Sequence, residues 1–324
     1  MSASVQRQVN LLKATYSYLR STINGNPEIM GLPVTINVEL TNNCNLKCPQ
    51  CLSGSGDMQR GRGYMKPELF QRIISELKPG LYTISLYFQG EPMLHPDFFE
   101  FLGYCRGINS VVSTNGHFLT PDNCEKIVLS GLRRIIVSVD GIDQQTYSAY
   151  RVNGNLSKVL DGLDCLCKTR KKYRSSLKTE IQFLVNRNNE NQIPLIKKLA
   201  RSVDASVKLK SMQIIRNQEI SSWLPSARKF RRYRIQGNEF VIKSSLPDRC
   251  GRLWFNPVIT WDGKVLPCCF DKDAEYVMGD LAEESFEDIW NGPKFRMFRK
   301  SILTGRHMID ICNNCTSGLD GAAH

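Results

Sequence analysis

The sequence predicts an α/β fold in which parallel strands alternate with helices, followed by a small cysteine-bearing α+β module. Three observations carry this. Short β-branched runs recur between helical stretches from residue 34 to residue 214, and regular alternation of this kind implies parallel strands. Three cysteines, Cys44, Cys48 and Cys51, follow directly behind the first of those strands. A second cysteine set, Cys250, Cys268, Cys269, Cys312 and Cys315, lies near the end of the 324-residue chain.

Taken in order, residues 5–23 read as an amphipathic helix with Val9, Leu12, Tyr16 and Leu19 near one face. That face suits a helix capping the bottom of a barrel, with a membrane surface as the alternative. Asn24-Gly-Asn-Pro27 ends the helix. The alternation Val34, Ile36, Val38, Leu40 predicts the first, half-buried strand. A polar, glycine-rich loop spans Gly54 to Gly63, and Pro67 opens a helix to about Leu77. The second strand, 82–88, ends in Gln89-Gly-Glu-Pro92 and leads to a helix over 97–105. A third strand near Val111 ends in Ser113-Thr-Asn115-Gly116, and a helix over 121–130 follows. The fourth strand, from Arg134, ends in Ser138-Val-Asp140-Gly141. A helix over 155–167, a strand over 179–185, a helix over 191–202 and a strand over 207–214 complete six units. Hydroxyl, amide and carboxylate groups at several strand ends suit a polar ligand at the carboxyl-terminal mouth of a β/α barrel. For each such residue alone, a helix N-cap is the competing role.

Residues 216–248 are polar, basic and irregular and read as a linker. Beyond them, Val258 to Leu266 around Asp262-Gly263 has the pattern of a hairpin. The expected organisation is an N-terminal helical extension (1–33), a core domain (34–215), the linker (216–248) and a C-terminal module (249–324).

Composition narrows the class. With 41% hydrophobic and 23% charged residues the chain is an ordinary globular protein. It has no run of about 18 apolar residues to span a membrane, and its first residues lack the apolar core of a signal peptide. Cytoplasmic residence is the expectation, and it suits twelve reduced cysteines. The net charge of +12 concentrates in Lys168 to Arg174 and Arg228 to Arg234. These runs are either solvated faces or an attraction for an anionic partner.

Cys44, Cys48 and Cys51 form a C-x3-C-x2-C loop. Three local thiolates can hold three irons of a [4Fe–4S] cubane, which normally takes four cysteines, and the fourth iron is then open to a reactant. A structural zinc site calls for four ligands, and the four histidines, His95, His117, His307 and His324, are distant in sequence. The loop resembles that of the radical S-adenosyl-L-methionine (SAM) superfamily, except that Gln50 stands where that family usually has an aromatic residue. The resemblance implies a partial (β/α)6 TIM-like barrel, the radical SAM core. It also implies SAM chelated by the open iron and reductively cleaved to a 5′-deoxyadenosyl radical. Gly90 and Glu91 match the second-strand motif that binds the methionine ammonium. By the same resemblance, Ser138 and Asp140 contact the ribose, Ser113 or Asn115 sits nearby, and Arg151 pairs with a carboxylate or an anionic substrate group. Cys250, Cys268, Cys312 and Cys315 resemble the ligands of a twitch module, the short form of SPASM, carrying one auxiliary [4Fe–4S] cluster. Cys269 is the spare or an alternative to Cys268. Cys105, Cys124, Cys165 and Cys167 read as core residues.

A closed second cluster cannot bind SAM, so electron transfer is its expected use. The layout resembles radical SAM dehydrogenases of aminocyclitols. The expected reaction is a two-electron oxidation of a small hydroxylated substrate, a sugar derivative or a phosphorylated compound, with flavodoxin or ferredoxin as electron donor. Peptide or protein maturation is the first alternative, although only 33 residues precede the first strand. RNA modification lacks a visible binding module. A non-catalytic Fe–S or zinc-binding protein is the alternative outside enzymology.

Overall fold

A computed structural model describes residues 2–237, 239–243 and 246–315. The end of the C-terminal module, expected to run to residue 324, lies outside the described residues after Cys315.

The first elements are α1 (Ala3–Asn24), β1 (Thr35–Val38), α2 (Leu52–Ser55), α3 (Pro67–Leu77), β2 (Thr83–Ser85) and α4 (Phe98–Tyr104). Next come β3 (Asn109–Thr114), α5 (Pro121–Leu129), β4 (Arg134–Ser138), α6 (Gln144–Tyr150) and α7 (Leu156–Lys172). Then β5 (Lys178–Val185), α8 (Ile193–Ser202), β6 (Ser206–Ser211), α9 (Ile220–Trp223), β7 (Tyr233–Gln236) and β8 (Glu239–Ile242) follow. The last are α10 (Arg252–Phe255), β9 (Val258–Ile259), β10 (Lys264–Leu266), β11 (Gly279–Asp280), α11 (Phe286–Asn291) and α12 (Pro293–Gly305). The six predicted strand–helix units are therefore present. Local chemistry starts several of the helices: Pro67 and Pro121 sit in first turns, and Thr120, Asp143 and Asn155 each cap a helix with a side-chain oxygen.

The chain divides into two compact units. The first comprises the N-terminal segment to Asn43, Gln59–Ser110 and the chain from Leu246 to the last described residue, Cys315. Its sheet centres on β1, with β2 parallel on one side (Ile36 opposite Ile84) and β9 parallel on the other (Val38 opposite Ile259). β10 and β11 continue it antiparallel. The C-terminal hairpin thus belongs to the same unit as the first two strands.

Within this unit α1 docks by an unexpected face. Its buried residues are Ala14, Ser17 and Ser21, whereas Leu12 is 70% exposed and Leu19 52%. Tyr16 and Val9 also face out. Small side chains let the helix backbone approach the returning segment closely, and their hydroxyls serve that segment's amides. The Met30 N–H donates to Ser17 Oγ at 2.8 Å and the Glu28 N–H to Ser21 Oγ at 2.7 Å. Asn10 adds Nδ2–H bonds to the Leu32 and Gly80 carbonyls.

The second unit comprises Cys44–Met58 and Val111–Ser245. Strands β3 to β6 are parallel neighbours in sequence order, with Ile136 opposite both Ser113 and Glu180. On β5, Thr179, Ile181, Phe183 and Val185 are buried in strict alternation, the period of a strand with one covered face. The stretch read as a linker carries α9 and the antiparallel hairpin β7–β8. Ile220, Trp223 and Leu224, spaced i, i+3, i+4, are buried with Tyr233 in one apolar cluster. That cluster also holds Leu46, Cys48, Tyr150, Met212 and Ile214.

Candidate active site and four-cysteine site

The cysteine loop belongs to the second unit. It is wound tightly: Cys51 N–H donates to the Cys48 carbonyl, and Gly54 and Ser55 N–H donate to the Cys51 carbonyl at 2.9 and 2.7 Å. A Cβ at Gly54 would lie 2.5 Å from the Cys48 nitrogen, so only glycine permits this closure. Cys48 is buried in the apolar cluster, while Cys44 and Cys51 pack against its rim and remain partly exposed. Burial pushes the Cys48 thiol up to about 12, with the neighbouring Arg151 pulling the other way. Ligation of a metal at that sulfur therefore displaces a proton.

Arg151 and Asp140 meet beneath the loop. Arg151 Nε donates to Asp140 Oδ2 at 2.6 Å, and Nη1 reaches Cys48 Sγ at 3.8 Å. The other carboxylate oxygen of Asp140 accepts the Leu184 N–H at 2.6 Å, and Asp140 is fully buried. Both oxygens are thus engaged by protein donors. Lys47 N–H donates to the Val152 carbonyl at 3.0 Å, tying the cysteine loop to the segment that carries Arg151. Ser138 ends β4 buried, and Ser113 lies partly exposed on β3. Asn115 Nδ2 donates to Asn45 Oδ1 at 2.8 Å, while its oxygen accepts from the His117 N–H at 3.1 Å and pairs with His117 Nδ1 at 3.0 Å.

Gln50 was legible only as a missing aromatic ring. Its side chain is buried and clasps the segment after β6. Oε1 accepts from the N–H groups of Ile215 at 2.7 Å and Arg216 at 3.1 Å, and Nε2 donates to Glu219 at 2.6 Å. Trp223 Nε1 donates to the same Glu219 oxygen at 3.2 Å. Arg216 in turn forms a two-point pair with Asp57, both contacts 2.9 Å. Gln50, Asp57, Arg216 and Glu219 are the residues near the loop that sequence reasoning missed. The one available signal was the helical spacing of Ile220, Trp223 and Leu224.

In the first unit β2 ends at Ser85, short of the expected residue 88, and the loop that follows it carries Gly90 and Glu91. Gly90 has φ +75°, and a Cβ there would fall 2.5 Å from the Thr41 carbonyl oxygen. Glu91 N–H donates to the Asn43 carbonyl at 2.8 Å, and its buried carboxylate accepts from Met93 N–H at 3.1 Å.

The same unit contains a cavity bordered by four thiols, Cys250, Cys268, Cys312 and Cys315. The rest of its wall includes Leu253, Phe270, Phe298 and Ile302, together with Arg252 and Arg306. Cys269, the spare, points its sulfur to Arg252 Nη1 at 3.6 Å. Burial pushes Cys312 up to about 11 and Cys268 well above the ordinary thiol range. No disulfide links any of the twelve cysteines. Among the described residues, no three histidine, cysteine or carboxylate groups converge as ligands of one ion would. The thiols border a cavity instead. Four thiols in an apolar pocket with one buried and one half-buried arginine and no lining carboxylate fit the donor set of an iron–sulfur cluster. The three-thiol loop fits a cluster with one open iron.

Two family models match the chain: the radical SAM superfamily over residues 38–191 and an iron-sulfur cluster-binding domain over residues 250–316. The SAM-dependent 2-deoxy-scyllo-inosamine dehydrogenase of Niallia circulans is 26% identical, covering 87% of this chain and 92% of that protein. The mycofactocin maturase MftC of Mycobacterium ulcerans is 24% identical, covering 87% and 80%. The AdoMet-dependent heme synthase of Methanosarcina barkeri is 30% identical over 176 residues, 53% of this chain and 48% of that protein. Among solved structures, Streptococcus suis SuiB bound to S-adenosylmethionine aligns with TM-score 0.63 at 13% identity, covering 96% of this chain and 78% of that one. BtrN in complex with AdoMet and 2-DOIA aligns with TM-score 0.53 at 21% identity, covering 89% and 94%. At these identities the two structures speak to fold: an α/β, TIM-like core with a C-terminal cluster-binding module.

Proposed function

From the premise that this chain belongs to the radical SAM superfamily, with [4Fe–4S] clusters and SAM as cofactors, we propose that it oxidises a small hydroxylated molecule by two electrons. Cys44, Cys48 and Cys51 hold the SAM-binding cluster in this reading, and Cys250, Cys268, Cys312 and Cys315 hold the auxiliary one. The first cluster and SAM, when bound, supply a 5′-deoxyadenosyl radical that takes a hydrogen atom from substrate carbon. The net reaction is balanced without external electrons: SAM and an alcohol give methionine, 5′-deoxyadenosine, a carbonyl compound and a proton.

The chain's own residues take these roles in the proposal. Gly90 lets the backbone of the loop after β2 turn closely, and Glu91 presents a carboxylate toward the methionine end of SAM. Ser113, Asn115 and Ser138 offer polar groups at strand ends for the nucleoside. Asp140, spoken for by Arg151 and Leu184, acts by fixing the Arg151 guanidinium next to Cys48. The fixed positive charge there lowers the cost of gathering thiolates on one loop.

The observation that carries this reading is the contrast between the two cysteine sets. One is a loop of three thiols, leaving an iron open; the other is four thiols around an apolar cavity. Similarity over most of both chains to an inosamine dehydrogenase supports a hydroxylated, sugar-like substrate class. Similarity to a maturase supports peptide modification as a second reading. Among the described residues no helix is long and apolar enough to cross a membrane. A flavodoxin or ferredoxin as donor and a cytoplasmic location remain parts of the proposal.

The test is turnover with a panel of aminocyclitols and sugar alcohols, reduced protein and SAM. The proposal expects a carbonyl product, one 5′-deoxyadenosine per product, and deuterium transfer from the carbinol carbon into 5′-deoxyadenosine. A panel that gives no product, alongside a peptide that is cross-linked or oxidised, moves the assignment to maturation.

A further inference from the structure

We propose that Arg306, seconded by Arg252, is the built-in counter-charge of the four-cysteine site and raises the reduction potential of the cluster held there. This rests on the auxiliary-cluster reading above.

Arg306 is 1% exposed. Its guanidinium donates to the Arg249 carbonyl at 2.8 Å, to the Pro247 carbonyl at 3.4 Å and to Cys315 Sγ at 3.6 Å. Its Nε has no hydrogen-bond partner. Asp248 Oδ1 accepts the Arg306 backbone N–H at 2.8 Å, but among the described residues no carboxylate forms an ion pair with the guanidinium of Arg306 or of Arg252. Every other buried or half-buried part of the cavity wall is either a thiol or an apolar side chain. A cation placed in such a wall without an anion is strongly unfavourable. Two backbone carbonyls satisfy part of the Arg306 guanidinium, and four thiolates around a [4Fe–4S] core in the cavity would supply the compensating negative charge.

The consequence for redox follows from charge. Reduction adds one negative charge to the cluster, so a fixed neighbouring cation stabilises the reduced form more than the oxidised one. A hydrogen bond from Arg306 to a ligating sulfur acts in the same direction, because it withdraws electron density from that ligand. In the proposed oxidation the substrate radical would lose one proton and one electron to become the carbonyl compound, and a cluster held by Cys250, Cys268, Cys312 and Cys315 would accept that electron. A raised potential makes it a better acceptor.

The experiment uses the full chain carrying Cys44→Ala, Cys48→Ala and Cys51→Ala, so that one cluster gives the signal. Anaerobic reconstitution is followed by an EPR-monitored redox titration. Arg306→Met is expected to lower the midpoint by at least a tenfold change in the reduction equilibrium, about 59 mV for one electron. Arg306→Lys, which keeps the charge, should stay closer to the parent. If Arg306→Met does not retain iron, Arg252→Gln replaces it, with a smaller shift in the same direction expected. An unchanged midpoint at full iron content in both charge-removing variants overturns the role given to the arginines. A parent protein that takes up no iron overturns the four-cysteine cluster itself, which is a separate failure.

Discussion

The Gln50 side-chain oxygen accepts the backbone N–H of Ile215 at 2.7 Å, joining the residue before the third cysteine to a segment 165 positions away. Gln50→Leu keeps the bulk but strands two backbone donors, of Ile215 and Arg216. Each buried unpaired donor costs about 1–3 kcal/mol. Both donors are only part-buried, so urea unfolding of the metal-free protein should show a combined loss at the low end of their sum, about 2–3 kcal/mol. An unaltered midpoint would mean that the clasp is not made in solution.

Asp140 and Arg151 should behave as a buried pair. Removing one partner from such a pair typically costs about 3–5 kcal/mol. Arg151→Met leaves the fully buried Asp140 carboxylate without its cation. The double variant Asp140→Asn with Arg151→Met should recover part of the loss, since the asparagine oxygen can still accept from Leu184 N–H. A double-mutant cycle by chemical denaturation reads the coupling directly. Strict additivity would contradict the pairing.

Gly90→Ala places a methyl against the Thr41 and Asn43 carbonyl oxygens, at 2.5 and 2.6 Å, with φ already at +75°. The loop after β2 must then shift. The expected outcome is a lower melting temperature and at least a tenfold weaker SAM affinity by anaerobic equilibrium dialysis. Wild-type affinity would separate this loop from the proposed SAM site.

Two histidines make the metal-free protein acid-sensitive. His95 receives the Asp97 N–H on Nδ1 at 3.0 Å and contacts the Met65 carbonyl through Nε2 at 2.8 Å. His117 receives the Asn155 N–H on Nε2 at 2.8 Å. Burial holds both imidazoles below the ordinary value near 6.5. Protons therefore bind the unfolded chain first as pH falls. The contribution of these groups is intact above about pH 6.5 and is lost as pH drops below it. The melting temperature should decline from pH 7 to pH 5 less steeply in a His95→Gln, His117→Gln variant than in wild type. Parallel slopes would rule this out.

How much of this was legible beforehand follows the range of the interactions. Strands, turns and the two cysteine sets are written locally, in alternation, in Asp262-Gly263 and in close cysteine spacing. The burial of Gln50 is not, because its partners arrive only when β6 has been placed. The same holds for Asp140, whose partners Arg151 and the Leu184 N–H come from other parts of the chain and cannot be read from its strand-end position. The apolar stripe of α1 was readable, but which face docks was not. Ser17 and Ser21 win that choice by serving the amides of Met30 and Glu28. The stretch 216–248 looked irregular because its ordering comes from Ile220, Trp223 and Tyr233 packing on the cysteine loop rather than from its own periodicity.

The most direct measurement is of SAM cleavage by anaerobically reconstituted, dithionite-reduced protein. Wild type is predicted to release 5′-deoxyadenosine and methionine, and Cys44→Ala, Cys48→Ala and Cys51→Ala each to fall to background. Cys312→Ala is predicted to cleave SAM but to form no oxidised product. Wild-type protein with its iron in place that yields no 5′-deoxyadenosine would contradict the account.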